Sequence, residues 1–263
     1  MVLLRIFQKF ESWQSRHKLS LWRTVYFNLR TLPFRQAIKL PILIFGKIRL
    51  ANLDGDVCIK NFGRRIKIGY NYAGYRNTTP GRICLMPNSK LILHPDVRIS
   101  QGANILCYRG AMLELKECSS VGDNTDIICY KHIVLGRHSG LTWRCQMMDF
   151  NSHFIIRKNN EVKSIFNPVI IGDYCWIGNQ TTIMPATKLP DRVIVTSNSL
   201  LNKDYTKFIP SESMIGGQPA KLIAEGLKRI YNAEIESLLF RQFICLNDRN
   251  ITIPDGYDIE KNY

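Results

Sequence analysis

A chain of 263 residues, 45% hydrophobic and 22% charged, is large enough for one solenoid domain with appendages and has the composition of a folded protein, which excludes a disordered one. Its net charge of +15 is uneven, because the first fifty residues carry ten Lys or Arg, from Arg5 to Arg49, against the single acid Glu11. That asymmetry points either to an anionic surface nearby or to a solvated basic face, and no nucleic-acid partner is expected.

The best apolar run, Leu40 to Gly46, falls far short of the roughly 20 residues that span a bilayer. No long apolar segment followed by a small-residue cleavage site marks a secretory signal. A cytoplasmic protein, soluble or peripheral at the inner face of the membrane, is expected. The eight cysteines form no CxxC pair and are scattered along the chain, which predicts reduced, buried thiols in place of disulfides or a metal site.

Residues 1–50 read as a basic helical segment broken by Pro33 and Pro41, with Trp13, Trp22, Tyr26, Phe27 and Phe34 interleaved. A solenoid exposes its terminal hydrophobic layer unless something covers it. This segment is therefore read as a cap, or alternatively as a face for a partner or for anionic lipid.

From 51 to 217 an aliphatic residue returns every sixth position. The beat is strongest through Ile171, Ile177, Ile183, Leu189 and Val195, and runs earlier through Leu93, Ile99 and Ile105, then Leu115, Val121, Ile127 and Ile133, then Leu135 and Leu141. A period of six belongs to a coil of short parallel strands in which one inward residue anchors each face. Three faces make a turn, so residues eighteen apart are expected to stack. Gly122, Gly136, Gly172 and Gly178 follow beat residues, where a missing Cβ permits a tight turn or positive φ.

The rhythm fails from 154 to 167, around Arg157-Lys158-Asn159-Asn160-Glu161-Val162-Lys163. A polar interruption of a packed coil must leave it as a surface loop, and such loops often carry function. Residues 218–263 read as a helix from Lys221 to about Phe240, followed by a tail around Pro254-Asp255-Gly256.

Three segments together resemble the carboxy-terminal part of the hexapeptide-repeat acyltransferases. They are Pro168 to Gly178 (Pro-Val-Ile-Ile-Gly-Asp-Tyr-Cys-Trp-Ile-Gly), Asn202-Lys203-Asp204, and Gly216 to Ile223 (Gly-Gly-Gln-Pro-Ala-Lys-Leu-Ile). The nearest branch is that of the galactoside, maltose and polysaccharide O-acetyltransferases, and the resemblance spans about residues 90–223. It implies an all-β solenoid, a left-handed parallel β-helix with helical appendages at both ends, assembled as a homotrimer. It also implies transfer of acetyl from acetyl-CoA to a sugar or glycan hydroxyl, with no metal. The handedness rests on the resemblance alone, since ordinary parallel crossovers are right-handed.

Attack of a hydroxyl on a thioester needs a base near neutral pH, a task that suits imidazole. His153 stands where the repeat gives way to the loop, in Met148-Asp149-Phe150-Asn151-Ser152-His153, which resembles the Asp-x-Asp-x-His ending of the family. Asn151 replaces the second acid and retains hydrogen bonding without charge. Asp149 is then the candidate to orient and charge-balance the imidazole, or else to fix the turn before the loop. His132 and His138, six apart, fall on neighbouring faces and His94 takes a corner position usually held by Gly; such positions read as structural. Their spacings do not converge three histidines of one chain on a zinc ion.

For the donor, Lys203 occupies the Lys of the family's Thr-Lys-Asp segment with Asn202 in place of Thr, and Lys221 occupies the Pro-Ala-Lys motif. Both lysines are candidate phosphate partners. Ser197 takes a position where a small residue lets pantetheine pass the backbone, although Thr196 and Asn198 replace family glycines. Trp176 is read as a packing residue at a subunit seam or as a ligand contact. Two alternatives stay open at this point: an N-acyltransferase acting on an amino sugar, and a non-enzymatic β-solenoid scaffold.

Overall fold

The computed structural model describes residues 18–61, 63–72, 79–245, 249–254 and 258–260. Trp13 and the rest of residues 1–17, and the Asp255-Gly256 turn of the tail, lie outside the described residues. Within them, short strands wind into three sheets of nine, seven and six strands, and the chain passes from one sheet to the next at every corner. Sheet A opens with strand Ile42–Ile44, sheet B with Ile48–Leu53 and sheet C with Asp56–Ile59. All pairings inside the coil are parallel, and they stack side chains of successive turns in register.

Because side chains alternate across a strand, one or two residues per strand face the axis and stack into apolar columns. In sheet A the column runs Ile68, Ile99, Val121, Leu141, Ile177, Val195 and Ile215. Every residue of the six-residue beat is buried in one of these columns. Full burial of each such side chain contributes about 1.5–3 kcal/mol.

The turn length differs along the coil. Toward the carboxy end Ile171 stacks on Leu189, Ile177 on Val195 and Ile183 on Leu201, the expected eighteen residues apart. Earlier, Leu93 stacks on Leu115, and Leu115 on Leu135, spacings of 22 and 20. The longer turns have four-residue strands on sheets B and C that put two residues inward in place of one, as Ile127 with Cys129 and Ile133 with Leu135. Adding two residues to a strand preserves its inward face, because the side-chain period is two.

The corners repeat one backbone device. Three positions before an inward residue the chain enters the left-handed region, at Asp96, Cys118, Asn124, His138, Arg144, Tyr174, Gln180, Ala186, Arg192 and Asn198, with φ between 52° and 68°. None of these is glycine. The glycines that follow beat residues have a different task from the positive φ considered for them: a Cβ on Gly178 would lie 2.5 Å from the Ser197 amide nitrogen, and one on Gly172 would lie 2.7 Å from that of Asp191. They let one turn pack directly on the next.

Residues 42–50, read from sequence as part of the helical segment, are largely strand and form the beginning of the coil. Helix α1 (Leu21–Thr31), followed by the short α2 (Phe34–Ala37), lies over the free edge of Ile42–Ile44. An uncovered strand edge leaves N–H and C=O groups unpaired. Here Asn28 and Thr24 act as a surrogate strand. The Asn28 amide donates to the Ile42 carbonyl at 2.7 Å and its Oδ1 accepts the Ile42 N–H at 3.2 Å. Thr24 Oγ1 accepts the Ile44 N–H at 3.0 Å. Phe27, fully buried, closes the hydrophobic layer beneath them.

At the other end the expected helix from Lys221 begins later. Lys221–Glu225 is a strand antiparallel to Ser213–Gly216, and α3 runs from Ala233 to Cys245. Asn232 caps α3 by accepting the N–H groups of Glu234 and Ile235, and Tyr231 and Asn232 both donate to the Ile259 carbonyl. A two-bond Arg192–Glu260 ion pair, at 2.8 and 3.0 Å, ties the terminal segment to the corner between sheets C and A. All eight cysteines are free thiols, five of them buried, while Cys245 on α3 is exposed. Burial pushes the Cys175 thiol up to about 12, so it stays protonated and serves as a small hydrophobe.

Candidate active site

The polar interruption leaves the coil at the corner from sheet B to sheet C, between strands Gln146–Met148 and Val169–Ile171. Its base is a narrow antiparallel ladder. Asn151 N–H donates to the Ile165 carbonyl, Asn167 N–H donates to the Asp149 carbonyl, and Phe150 bridges Phe166. A second bridge joins Ile156 to Val162 near the tip. His153 stands on this excursion, exposed, with no side-chain hydrogen bond to the described residues of its own chain.

Of the two readings considered for Asp149, its contacts match the one that fixes the turn before the loop. Its carboxylate is fully buried and accepts the N–H groups of Tyr130, Lys131 and His132 at 2.7, 2.7 and 2.6 Å. With its oxygens committed to the preceding turn, Asp149 fixes the corner from which the loop departs and is not paired with His153. Asn151 holds the ladder through its backbone, and its exposed side chain is left available.

The same corner, two turns further on, carries Asn202 and Lys203. With strands about 4.8 Å apart, they stand roughly 10 Å along the coil from the base of the loop. The Lys203 ammonium lies 5.4 Å from the ring centre of Tyr205 and 4.8 Å from that of Phe208, a cation–π seat that holds it at the surface. Asp204, the third residue of that segment, accepts the Thr206 hydroxyl at 2.5 Å and faces Lys188 at 3.5 Å. The Thr206 hydroxyl and then Lys188 hold its carboxyl below the ordinary range.

The remaining donor candidates lie elsewhere on the chain. Trp176 projects from sheet A, half-exposed, with Arg229 5.3 Å over its ring. Ser197 lies at the corner from sheet A to sheet B, where its hydroxyl accepts the Asn179 N–H at 3.1 Å. Lys221 opens the strand that pairs with Gly216 at the edge of sheet A, and its side chain is exposed. The structure thus brings His153, Asn151, Asn202 and Lys203 to one corner and Trp176, Ser197 and Lys221 to another side, with the width of sheet B between them. Two other histidines have packing partners: His94 pairs with Glu114 at 2.8 Å, and His138 stacks on Tyr174 with ring centres 4.8 Å apart.

No protein-family profile matches the chain. Over most of its length it is similar to a Bacillus subtilis (strain 168) protein provisionally named acetyltransferase YvoF, with 24% identity covering 79% of this chain and 88% of that one. A shorter stretch, 28% of this chain and 33% of the relative, is 33% identical to the galactoside O-acetyltransferase of Escherichia coli (strain K12). The fold recurs in the crystal structure of the polySia specific acetyltransferase NeuO, with a TM-score of 0.56 over 73% of this chain and 86% of that chain, at 16% identity. The chain is an acyltransferase, similar in sequence and fold to those of the hexapeptide-repeat type.

In this acyltransferase one feature of the site was not singled out from the sequence. Tyr108, Tyr130 and Phe150 stack along the corner beneath the loop, with ring centres 4.3 and 3.8 Å apart, and Phe166 lies against Tyr130 from the returning strand. Lys131 adds its ammonium 5.4 Å from the Phe166 ring centre. The signal was present, since each of the three stacked rings stands three positions after an inward residue: Ile105, Ile127 and Met147. This column gives the loop a rigid base.

Proposed function

We propose that this acyltransferase moves the acetyl group of acetyl-CoA to a hydroxyl of a sugar, in the assembly of a surface polysaccharide, with His153 as the general base. The observation that carries this reading is an exposed imidazole, unpaired among the described residues of its own chain, on a braced excursion at the corner that also carries Lys203. The acceptor hydroxyl gives its proton to the imidazole as its oxygen attacks the thioester carbonyl carbon. The tetrahedral intermediate then collapses, the C–S bond breaks, and the imidazolium returns the proton to the departing CoA sulfur. Asn151, beside His153 on the ladder, offers an amide to the acceptor or to the imidazole. Asp149 acts by holding the corner in place.

Lys203 and Lys221 supply point charges for the phosphates of CoA, and the small Ser197 leaves room at the backbone for the pantetheine arm. These groups stand on two sides of one coil, so a single chain does not gather them around one ligand. In a cyclic assembly each copy presents two different patches that meet at every seam. A homotrimer with the site in the groove between neighbouring coils unites the two sets. The apolar outgoing arm of the loop, with Phe154, Ile155 and Ile156 each more than 60% exposed, supplies a surface for that seam.

The test is transfer of labelled acetyl from acetyl-CoA to a panel of lipid-linked and released glycans, with sedimentation to count chains. O-acetylation of a glycan by a three-chain particle is expected. Transfer only to the amine of an amino sugar, or no transfer to any acceptor, would overturn the reading. None of the described helices is long and apolar enough to cross a membrane. Contact with the membrane surface is part of the proposal and is developed next.

A further inference from the structure

Helix α1 has two faces with different work. Thr24, Phe27 and Asn28 seal the coil, while Leu21, Trp22, Val25, Tyr26 and Leu29 point away from it at 37–74% exposure. Phe34 and Ile38, 72% and 59% exposed on the following segment, extend the same apolar area. Trp22 and Tyr26 stack with ring centres 5.8 Å apart and lie among cations. From residue 18 to residue 50 the sequence has seven Lys or Arg and no Asp or Glu. Arg30 is paired with Asp54, and Lys18 and Arg35 are exposed beside the apolar face.

An exposed apolar face carrying Trp and Tyr and ringed by basic residues matches the interfacial zone of an anionic bilayer. A second copy of the chain would instead bring like charges together. The direction of this face follows from the capping bonds. Asn28 and Thr24 bond to the free edge of Ile42–Ile44 along the direction in which the strands of a sheet bond to one another, which is the coil axis. The exposed face of α1 therefore looks outward along that axis.

We propose that α1 docks the acyltransferase end-on onto an anionic membrane, so that the acceptor is a lipid-linked glycan whose reactive sugar stands well clear of the bilayer. The loop base leaves the fifth strand of sheet B, four strand spacings from the first. That is about 19 Å of coil, with the thickness of one helix, about 10 Å, beneath it. A sugar several units out from its lipid anchor reaches the loop, and one attached directly at the headgroup does not. The reaction that supplies this substrate is therefore sugar transfer that has already lengthened the lipid-linked chain. In a trimer whose axis runs along the coils, three caps share one plane and bind together. The inference about the acceptor rests on the transferase reading above, whereas the docking itself does not.

The experiment is flotation of the full chain with vesicles of phosphatidylcholine containing phosphatidylglycerol, and with vesicles of phosphatidylcholine alone. It is run for wild type, for the double variant Trp22→Glu/Leu29→Glu, and for Arg35→Glu. Wild type is expected to float with the anionic vesicles only, the double variant to lose at least tenfold in binding, and Arg35→Glu to lose less. On a lipid-linked glycan in those vesicles the double variant should be slowed at least tenfold, with its rate on the same glycan released from lipid unchanged. Failure of wild type to float, or equal flotation of the double variant, overturns the docking even where released glycan is still acetylated. A change in sedimentation of the double variant without loss of flotation makes a second copy the occupant and also overturns it. Absence of transfer to either glycan form removes the transferase reading and the acceptor inference, while flotation still decides the docking.

Discussion

Asp149 and His153 are four residues apart and belong to two different kinds of structure. Asp149 lies in the coil, fully buried, with its carboxylate satisfied by three N–H groups of the preceding turn. His153 lies on the excursion, exposed and unpaired among the described residues, beside the exposed apolar side chains of Phe154, Ile155 and Ile156. The coil is complete within one chain. The loop presents exposed side chains, which in the proposed trimer are available to a neighbouring copy and to substrates. Substitutions in the two regions should accordingly separate stability from assembly and activity.

The largest effect is expected in the coil. Ile177→Asp places an unpaired carboxylate in a fully buried column between Leu141 and Val195, which costs more than the domain's whole margin of about 5–15 kcal/mol can absorb without rearrangement. No soluble folded protein is expected, and thermal unfolding like that of wild type would break the assignment of the columns. Asp149→Ala comes next. It leaves three part-buried N–H groups without their acceptor, and a loss of about 3–5 kcal/mol is expected from chemical denaturation. A change below about 1 kcal/mol would show that the loop base does not depend on that carboxylate.

The loop should behave in the opposite way. Ile155 is 75% exposed, so Ile155→Asp should leave the unfolding of the isolated chain within about 0.5 kcal/mol of wild type while shifting sedimentation toward single chains. An intact trimer in that variant would remove the outgoing arm of the loop from the seam.

The smallest effect is a pH dependence. Burial first, and the neighbouring Arg137, lower the pKa of His138, while Glu117 and Asp173 act to raise it, with a net depression below the usual imidazole value. At acid pH the unfolded chain binds this proton more readily than the folded one. Stability from this group is therefore full above the unfolded pKa of about 6.5 and declines as pH falls through that value toward the folded pKa. His138→Asn, which suits the left-handed corner, should flatten the acid side of the stability curve slightly, and an unchanged slope would contradict the assignment.

The coil was legible in the sequence because a period of six is a direct consequence of its geometry. Ile99, Val121 and Ile177 face inward for the reason their spacing indicates. The eighteen-residue turn was legible only where each strand contributes a single inward residue. The extra pair Ile127 and Cys129 lengthens the turn without disturbing the beat that surrounds it. Residues 42–50 were read as helical because Ile42–Ile44 is an isolated apolar run, and only the Asn28 and Thr24 side chains reveal that it is a sheet edge. In the same way, Lys221–Glu225 has no periodicity to set a strand apart from the start of a helix.

The site was legible in part. His153 stood out because a histidine at the point where a repeat fails has no packing task to perform. Asp149 was a candidate partner because Asp149 to His153 resembles the Asp-x-Asp-x-His ending, with Asn151 in place of the second acid. The competing demand came from N–H groups at Tyr130, Lys131 and His132, seventeen to nineteen residues earlier, which only the stacking of turns makes adjacent.

The account is tested most directly by steady-state kinetics of His153→Ala beside its thermal unfolding, with acetyl-CoA and a glycan acceptor that the wild type acetylates. Loss of a general base should lower kcat by roughly 10²- to 10⁴-fold while acetyl-CoA affinity and Tm stay near wild type, because the exposed imidazole makes no side-chain hydrogen bond to the described residues of its own chain. A turnover equal to wild type, or a drop in turnover matched by an equal loss of fold, would contradict it.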